Sequence, residues 1–280
     1  MTVASLTRIA ACLLTATVAG VFSCAASGAE LIDNPIVEEM KKGREGGEET
    51  FDHADFEALL EDHVVLEERA VDYSSLADDK EELEAYLEKI AQADMAELGA
   101  DEQLALLINA YNACTLQLIL EHYPDIDSIK DISKPWKKAR CKVGSHSLSL
   151  DEIEHGLIRP IFKDPRIHFA VNCAAKDCPP LRPFAYTGEA IDEQLEKVTN
   201  EVLSSETFAR VEDEKLHVTK LFEWYGDDFV DSDFEGHASN RAAYVARYAD
   251  DPVRAFIEEH DGEPPVRYLG YDWSLNDVDD

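Results

Sequence analysis

A cysteine can serve as nucleophile, metal ligand or half of a disulfide, and its neighbours decide which. The densest set of such neighbours is His168-Phe169-Ala170-Val171-Asn172-Cys173-Ala174-Ala175-Lys176-Asp177-Cys178-Pro179-Pro180. A thiol enzyme needs a lowered thiol pKa, a base within reach and donors for a developing oxyanion. Cys173 has Lys176 close in sequence, and His168 or His155 supplies an imidazole. Asn109 or Asn112 would orient that imidazole or hold the oxyanion. Asn172 and Lys176 join Asn112 as candidate binding residues. Glu223, beside Trp224, joins them only if it is buried.

The same residues carry other readings. A Cys173–Cys178 disulfide would pin a turn already stiffened by Pro179 and Pro180, contributing about 2 kcal/mol by chain entropy. Its four-residue gap differs from the two-residue gap of thioredoxin-like redox motifs. Nine histidines are present, but none forms the zinc-protease pair with a glutamate between, and no two close cysteine pairs occur. His155 and His168 with Glu154 or Asp151 could converge on a metal, yet packed, hydrogen-bonded histidines account for the same residues. No metal and no other cofactor is assigned. There is no phosphate-binding glycine loop and no Gly-x-Ser-x-Gly elbow.

The elements that would position these groups are legible as periodicities. Phe56, Leu59, Leu60 and Val64 recur at helical spacing, as do Leu83, Tyr86, Leu87 and Ile90. A third helix, starting near Asp101 and ending before His122-Tyr123-Pro124, is apolar on most sides and belongs in the core. Asn109 and Asn112 lie inside it, and a buried amide without partners costs about 1–3 kcal/mol. Residues 141–144 and 148–150 read as two short strands around a turn, and Asp151 as the cap of a helix over 152–158. Residues 167–173 are apolar enough for a central strand, which would place His168, Ala170 and Asn172 on one face. A helix over 188–204, a hairpin around Asp213-Glu214, helices over 241–249 and 253–260 and a final strand or tail over 266–275 follow. The order, helices first and mixed elements after, gives an α+β single domain over 51–280, its helical half packed on a small mixed or antiparallel sheet. In that fold His168, Asn172, Cys173 and Asn109 should converge on one pocket, with His155 as a further member.

Charge and the N-terminus bound the function classes. With 26 Lys and Arg against 59 Asp and Glu, the formal net charge is −33. Such a surface repels a phosphate backbone, which excludes nucleic-acid binding by a broad basic face. Arg8 is the only charged residue before Glu30, and the apolar run over 9–22 is short for a bilayer span. Followed by Ser27-Gly28-Ala29, it reads as a secretory signal over 1–29, cleaved after Ala29, with no transmembrane span remaining. A lipid anchor at Cys24 is disfavoured by bulky Phe22. The expected compartment is periplasmic or secreted. Four cysteines then remain, Cys114, Cys141, Cys173 and Cys178, which allow three full pairings. Residues 30–50, rich in Glu, Lys and Gly, read as a flexible acidic leader.

Asn109-Ala110-Tyr111-Asn112, Asp151-Glu152-Ile153-Glu154-His155 and the 168–180 segment together resemble the DUF547 family, a domain of unknown function. The likeness extends from Val71-Asp72-Tyr73 through Trp224-Tyr225 to Tyr271-Asp272-Trp273-Ser274, and is densest over 100–205. The resemblance implies a fold type. It gives Cys114 no catalytic role, since relatives carry a small residue there. It brings no established reaction, so function rests on the site. The expectation is an envelope thiol hydrolase or transferase using Cys173. The alternative is a non-catalytic periplasmic binding or accessory module held by a Cys173–Cys178 disulfide. Substrate and partners are not readable.

Overall fold

A helix that is apolar on every side must be surrounded by the rest of its protein. Ala100–Leu120 is that helix in the computed structural model, which describes residues 30–278. The expected export signal, its expected cleavage position and Cys24 lie outside the described residues. By length and composition the helix could cross a bilayer, but 94% of its most apolar window is buried within the protein. Asp101 and Glu102 in its first turn complement the helix dipole. Several of its polar side chains tie it to its surroundings. The Gln103 side-chain nitrogen lies 2.9 Å from the carbonyls of Met40, Met95 and Leu98, and Thr115 returns its hydroxyl to Tyr111 O.

Those Gln103 contacts bear on the expected leader. Ile36–Gly46 is a packed helix, with Ile36 and Met40 fully buried. Gly43 there is a contact glycine: a Cβ would run into the carbonyls of Met95 and Leu98. The flexible reading of 30–50 is therefore corrected. Ile36 and Met40 stand one helical turn apart on the buried face, and the glycine permits close approach rather than mobility.

Ala54–His63 and Lys80–Ile90 cover a further part of the core, with Phe56 stacked on Tyr86 at 4.7 Å. The short helix Tyr73–Leu76 between them is capped by Asp72, which accepts from Ser75 N–H. The antiparallel hairpin Cys141–Val143 with His146–Leu148 turns at Gly144, whose φ is +54°. Cys141 is disulfide-bonded to Cys114 of the central helix.

Two expectations around the candidate site change. Ser149, not Asp151, caps the next helix, and Glu152 reciprocates in a capping box. The helix runs past 158: Leu150–Ile153 leads through one π-helical turn, Glu154–Ile158, into Arg159–Phe162. Pro160, which lacks an N–H, falls just after that wide turn. Residues 167–173 form no strand. Asp164 caps a 3₁₀ turn over Pro165–Phe169, and the chain then runs irregularly. The reason is on the central helix: the Asn112 amide donates to Ala170 O and accepts from Asn172 N–H. It supplies the hydrogen bonds that a neighbouring strand would have given, so an apolar segment is buried without joining a sheet.

The helix Ile191–Leu203 precedes the hairpin Ala209–Glu212 with Lys215–Val218, whose loop residues Asp213 and Glu214 are both left-handed. Val266–Tyr268 adds in parallel to make a mixed three-stranded sheet, which packs on the helix Asp251–Glu259; Arg241–Tyr248 packs on that helix and on Ile191–Leu203. The fold is α+β in a single domain. Its core is built around a helix, and its sheets are small. The chain's last stretch returns to the centre: Leu275 pairs antiparallel with Ala175, and Lys176 N–H donates to Ser274 O.

Candidate functional site

Three local devices shape the turn that carries Cys173. Asn112 fixes the backbone on its N-terminal side. The Asn172 amide donates to Pro179 O and accepts from Ala174 N–H, closing the turn on itself. Ala174 is left-handed, with φ +58°, a conformation that costs an alanine about 1 kcal/mol or more. The returning tail covers the other side and presents Tyr271.

This geometry puts two side chains against one sulfur. Cys173 Sγ lies 3.1 Å from Cys178 Sγ and 3.3 Å from the Tyr271 hydroxyl, and Cys173 N–H donates to Cys178 Sγ. Both cysteines are thiols. Cys173 is half-buried and Cys178 is buried. The hydrogen bond from Cys178 lowers the Cys173 pKa most. It works against burial and the nearby Glu154 carboxylate, and is helped by Tyr271 and the Ala175 N–H. Cys178 moves the other way: burial and the neighbouring Cys173 sulfur hold its proton on. Burial and the adjacent cysteines likewise keep the Tyr271 phenol protonated, so it can donate to a thiolate.

The imidazoles are occupied elsewhere. His168 Nε2 is 2.8 Å from Asp228 Oδ2, and its ring stacks on Tyr225 at 4.0 Å. A carboxylate only accepts, so Nε2 carries the proton. The buried Nδ1 has no hydrogen-bond partner. Burial accordingly lowers the His168 pKa, since a second proton would strand an N–H. Arg159 grips the same carboxylate through two bonds of 2.7 and 2.8 Å. Burial alone would raise Asp228, but His168 and Arg159 outweigh it and hold its pKa at about 2. His155 Nδ1 sits 3.2 Å from an Arg159 nitrogen. Arginine only donates, so this nitrogen accepts and the His155 proton sits on Nε2. The π-helical turn thus sets Glu154, His155 and Arg159 around one centre, and Glu154 Oε1 is 3.6 Å from His155 Nδ1.

The expected constellation therefore splits into neighbouring parts. Asn172 and Cys173 share the thiol turn, and Asn112 anchors it. His168 and His155 meet through Arg159 and Asp228. Neither imidazole is hydrogen-bonded to the Cys173 sulfur. The two parts are neighbours: Tyr111, fully buried beside Asn112, feels the charges of Glu154 and Tyr225 from one and of both cysteines from the other. Asn109 stands apart, its amide exchanging two hydrogen bonds with the Tyr186 backbone. Lys176 is half-buried and its N–H holds the tail. Glu223 is exposed and paired with Lys220, so the burial that would have made it a candidate is missing. Among the described residues, no three His, Cys, Asp or Glu side chains gather as a metal site.

Sequence reasoning missed Asp228, Arg159 and Tyr271 as site residues. Asp228 is one acid among many, and nothing local marks it as the buried one. Tyr271 did carry a signal, since it opens the Tyr271-Asp272-Trp273-Ser274 stretch. It also lines a cleft of about 530 Å³ with Asp177, Glu206, Phe208, Arg210 and Thr219. Trp224 and Trp273 pack on its ring at 4.7 and 4.6 Å.

Residues 95–203 match the DUF547 family, described as a protein of unknown function. The DUF547 segment holds both asparagines, His155, Arg159, His168 and the two thiols. Tyr225, Asp228 and Tyr271, which complete the arrangement, lie beyond it. No curated protein and no solved structure matches the chain.

Proposed function

We propose that this DUF547 protein is a thiol-dependent hydrolase or transferase in which Cys173 is the nucleophile. The reading rests on one observation. A half-buried sulfur at a left-handed turn is met by the Cys178 thiol, the Tyr271 hydroxyl and the Ala175 N–H, donors that favour its thiolate. Activation then comes from a stabilised thiolate rather than from a paired histidine. The thiolate adds to a carbonyl carbon, the leaving group departs with a proton, and water or an acceptor releases the thioester. His155, half-buried and held by Arg159 at Nδ1, is assigned to hydrogen-bond the leaving group through Nε2–H, and the leaving group takes its proton from solvent. His168, Asp228 and Arg159 hold the π-helical turn in place behind it. The buried Cys114–Cys141 disulfide supports export to an oxidising compartment, periplasmic or extracellular.

Incubation with p-nitrophenyl acetate followed by peptide mass mapping tests the reading. The expected product is an acetylated Cys173 peptide that disappears in Cys173→Ser. A protein whose Cys173 is already disulfide-bonded to Cys178, and whose sulfur after reduction is alkylated no faster than an ordinary cysteine, would favour the binding or accessory module instead.

A further inference from the structure

The pairing of Cys173 with Cys178 has a use beyond stabilising the Cys173 thiolate. We propose a second activity for this turn: Cys173 and Cys178 form a dithiol that exchanges with disulfide-bonded substrates, Cys173 attacking and Cys178 resolving. Three observations carry it. The sulfurs stand 3.1 Å apart as thiols, and a disulfide needs them at about 2.05 Å, so closure is a side-chain movement of about 1 Å. Access is asymmetric: Cys173 is half-buried, whereas Cys178 is 4% exposed, so an incoming disulfide meets only Cys173. The backbone holds the two sulfurs in contact without a bond, because Asn172 ties residue 174 to residue 179 across the turn. The four-residue gap, unlike a thioredoxin spacing in sequence, reaches the same proximity through that turn.

The chemistry balances. The Cys173 thiolate attacks one sulfur of a substrate disulfide, forming a mixed disulfide and expelling the first substrate thiolate. The negative charge beside Cys178 is thereby removed, and Cys178 loses its proton to solvent more readily. Its thiolate attacks Cys173 Sγ, forming the Cys173–Cys178 disulfide and expelling the second substrate thiolate. The protein is oxidised by two electrons and the substrate disulfide is reduced to two thiols. The reverse sequence oxidises a pair of substrate thiols. The step shares Cys173 with the proposed hydrolase but depends on Cys178.

The test uses 5,5′-dithiobis(2-nitrobenzoate) on the purified, mildly reduced protein with Cys114–Cys141 intact. The expected result is a fast first release of thionitrobenzoate, a second release independent of reagent concentration, and a chain carrying a Cys173–Cys178 bond. Cys178→Ser, with Cys178→Ala as a second variant, should stop after one release and keep the adduct on Cys173. Cys173→Ser should react roughly tenfold more slowly or worse. A wild-type protein that also stops at the mixed disulfide overturns the proposal. So does a Cys173–Cys178 bond that excess dithiothreitol cannot reopen in the folded protein, because that bond is then a structural crosslink. Acetylation of wild-type Cys173 by p-nitrophenyl acetate needs no second sulfur, so it reports the hydrolase reading separately.

Discussion

Cys114 and Cys141, 27 residues apart, join the central helix to the hairpin beside it and are both buried, whereas Cys173 and Cys178 share one half-exposed turn and remain thiols. A bond across a long loop removes many conformations from the unfolded chain, and a bond across a short one removes few. The first pair lies where a crosslink constrains the fold most. The second lies where a crosslink would add little and where Asn112 and Asn172 already fix the backbone. Stability is thus concentrated at one pair, and the other is left available for reaction.

Removing each pair in turn is the strongest test of that division. Cys114→Ala with Cys141→Ala should lower the unfolding free energy by about 3.5 kcal/mol, the chain-entropy value for a loop of this length. Cys173→Ala with Cys178→Ala should cost about 1–2 kcal/mol, chiefly for the buried Cys178. Denaturant unfolding monitored by circular dichroism measures both. Equal losses would mean that the second pair is structural as well.

The two asparagines of the central helix repeat the contrast one level down. Asn112→Leu strands Ala170 O and Asn172 N–H, and Asn109→Leu strands the two backbone groups of Tyr186. Each substitution should destabilise by about 1–3 kcal/mol for every group left unpaired. Only Asn112→Leu should also slow alkylation of Cys173, because only Asn112 anchors the thiol turn. Iodoacetamide labelling of the two variants, compared at equal folded fraction, separates them. Slowing in both would place Asn109 in the thiol site after all.

Much of this was legible in the sequence, and its limits have physical causes. The central helix showed itself by an apolar run with two amides inside it, and burial of those amides followed from their cost. The hairpins announced themselves through Gly144 and Asp213-Glu214 between apolar alternations. The 167–173 segment misled because composition reports burial but not who supplies the hydrogen bonds; a side chain from another element did so. The helix over 36–46 was hidden because glycines read as flexibility when one of them serves close packing. Asp228 was illegible because its importance comes from Arg159 and His168, far away in the chain. The Cys173–Cys178 turn was visible, but the direction of each thiol's pKa follows from burial and from the contact between the two sulfurs, to which Tyr271, delivered by the tail, adds at Cys173.

Acid should affect the two regions differently. The folded pKa of His168 is depressed by burial, so the folded state binds fewer protons than the unfolded chain. Its contribution to stability is complete above about pH 6.5, the unfolded value, and is lost as pH falls through the folded value. His53, pushed down to about 4 by burial, adds a loss of the same sign between about 6.5 and 4. Unfolding free energy should therefore decline below pH 6.5, and His168→Gln should flatten part of that decline. The Cys114–Cys141 bond carries no titrating group, so the alanine double variant at that pair should keep the wild-type slope. A slope unchanged by His168→Gln would show that His168 is not held neutral.

The smallest expected effect concerns Tyr271, and it bears most directly on the reactivity proposed for the second pair. Its hydroxyl lies 3.3 Å from Cys173 Sγ and is kept protonated by burial and the adjacent sulfurs. It thus donates to the thiolate and, with Cys178, helps to hold the Cys173 pKa below the ordinary thiol value. Tyr271→Phe keeps the ring packed against Trp224 and Trp273 while removing that single donor. A hydrogen bond to a charged group contributes about 1.5–3 kcal/mol, and a half-exposed site recovers part of this from water. The pH midpoint for alkylation of Cys173 should lie below that of an ordinary cysteine in the wild type and rise in Tyr271→Phe. The limiting rate at high pH should hold or rise, because a more basic thiolate is a better nucleophile. Stability should change by less than about 1 kcal/mol, since the aromatic packing is retained. A fall in rate at every pH without a shift in midpoint would mean that Tyr271 governs access to the sulfur and not its charge; the thiolate would then depend on Cys178 and the Ala175 N–H alone.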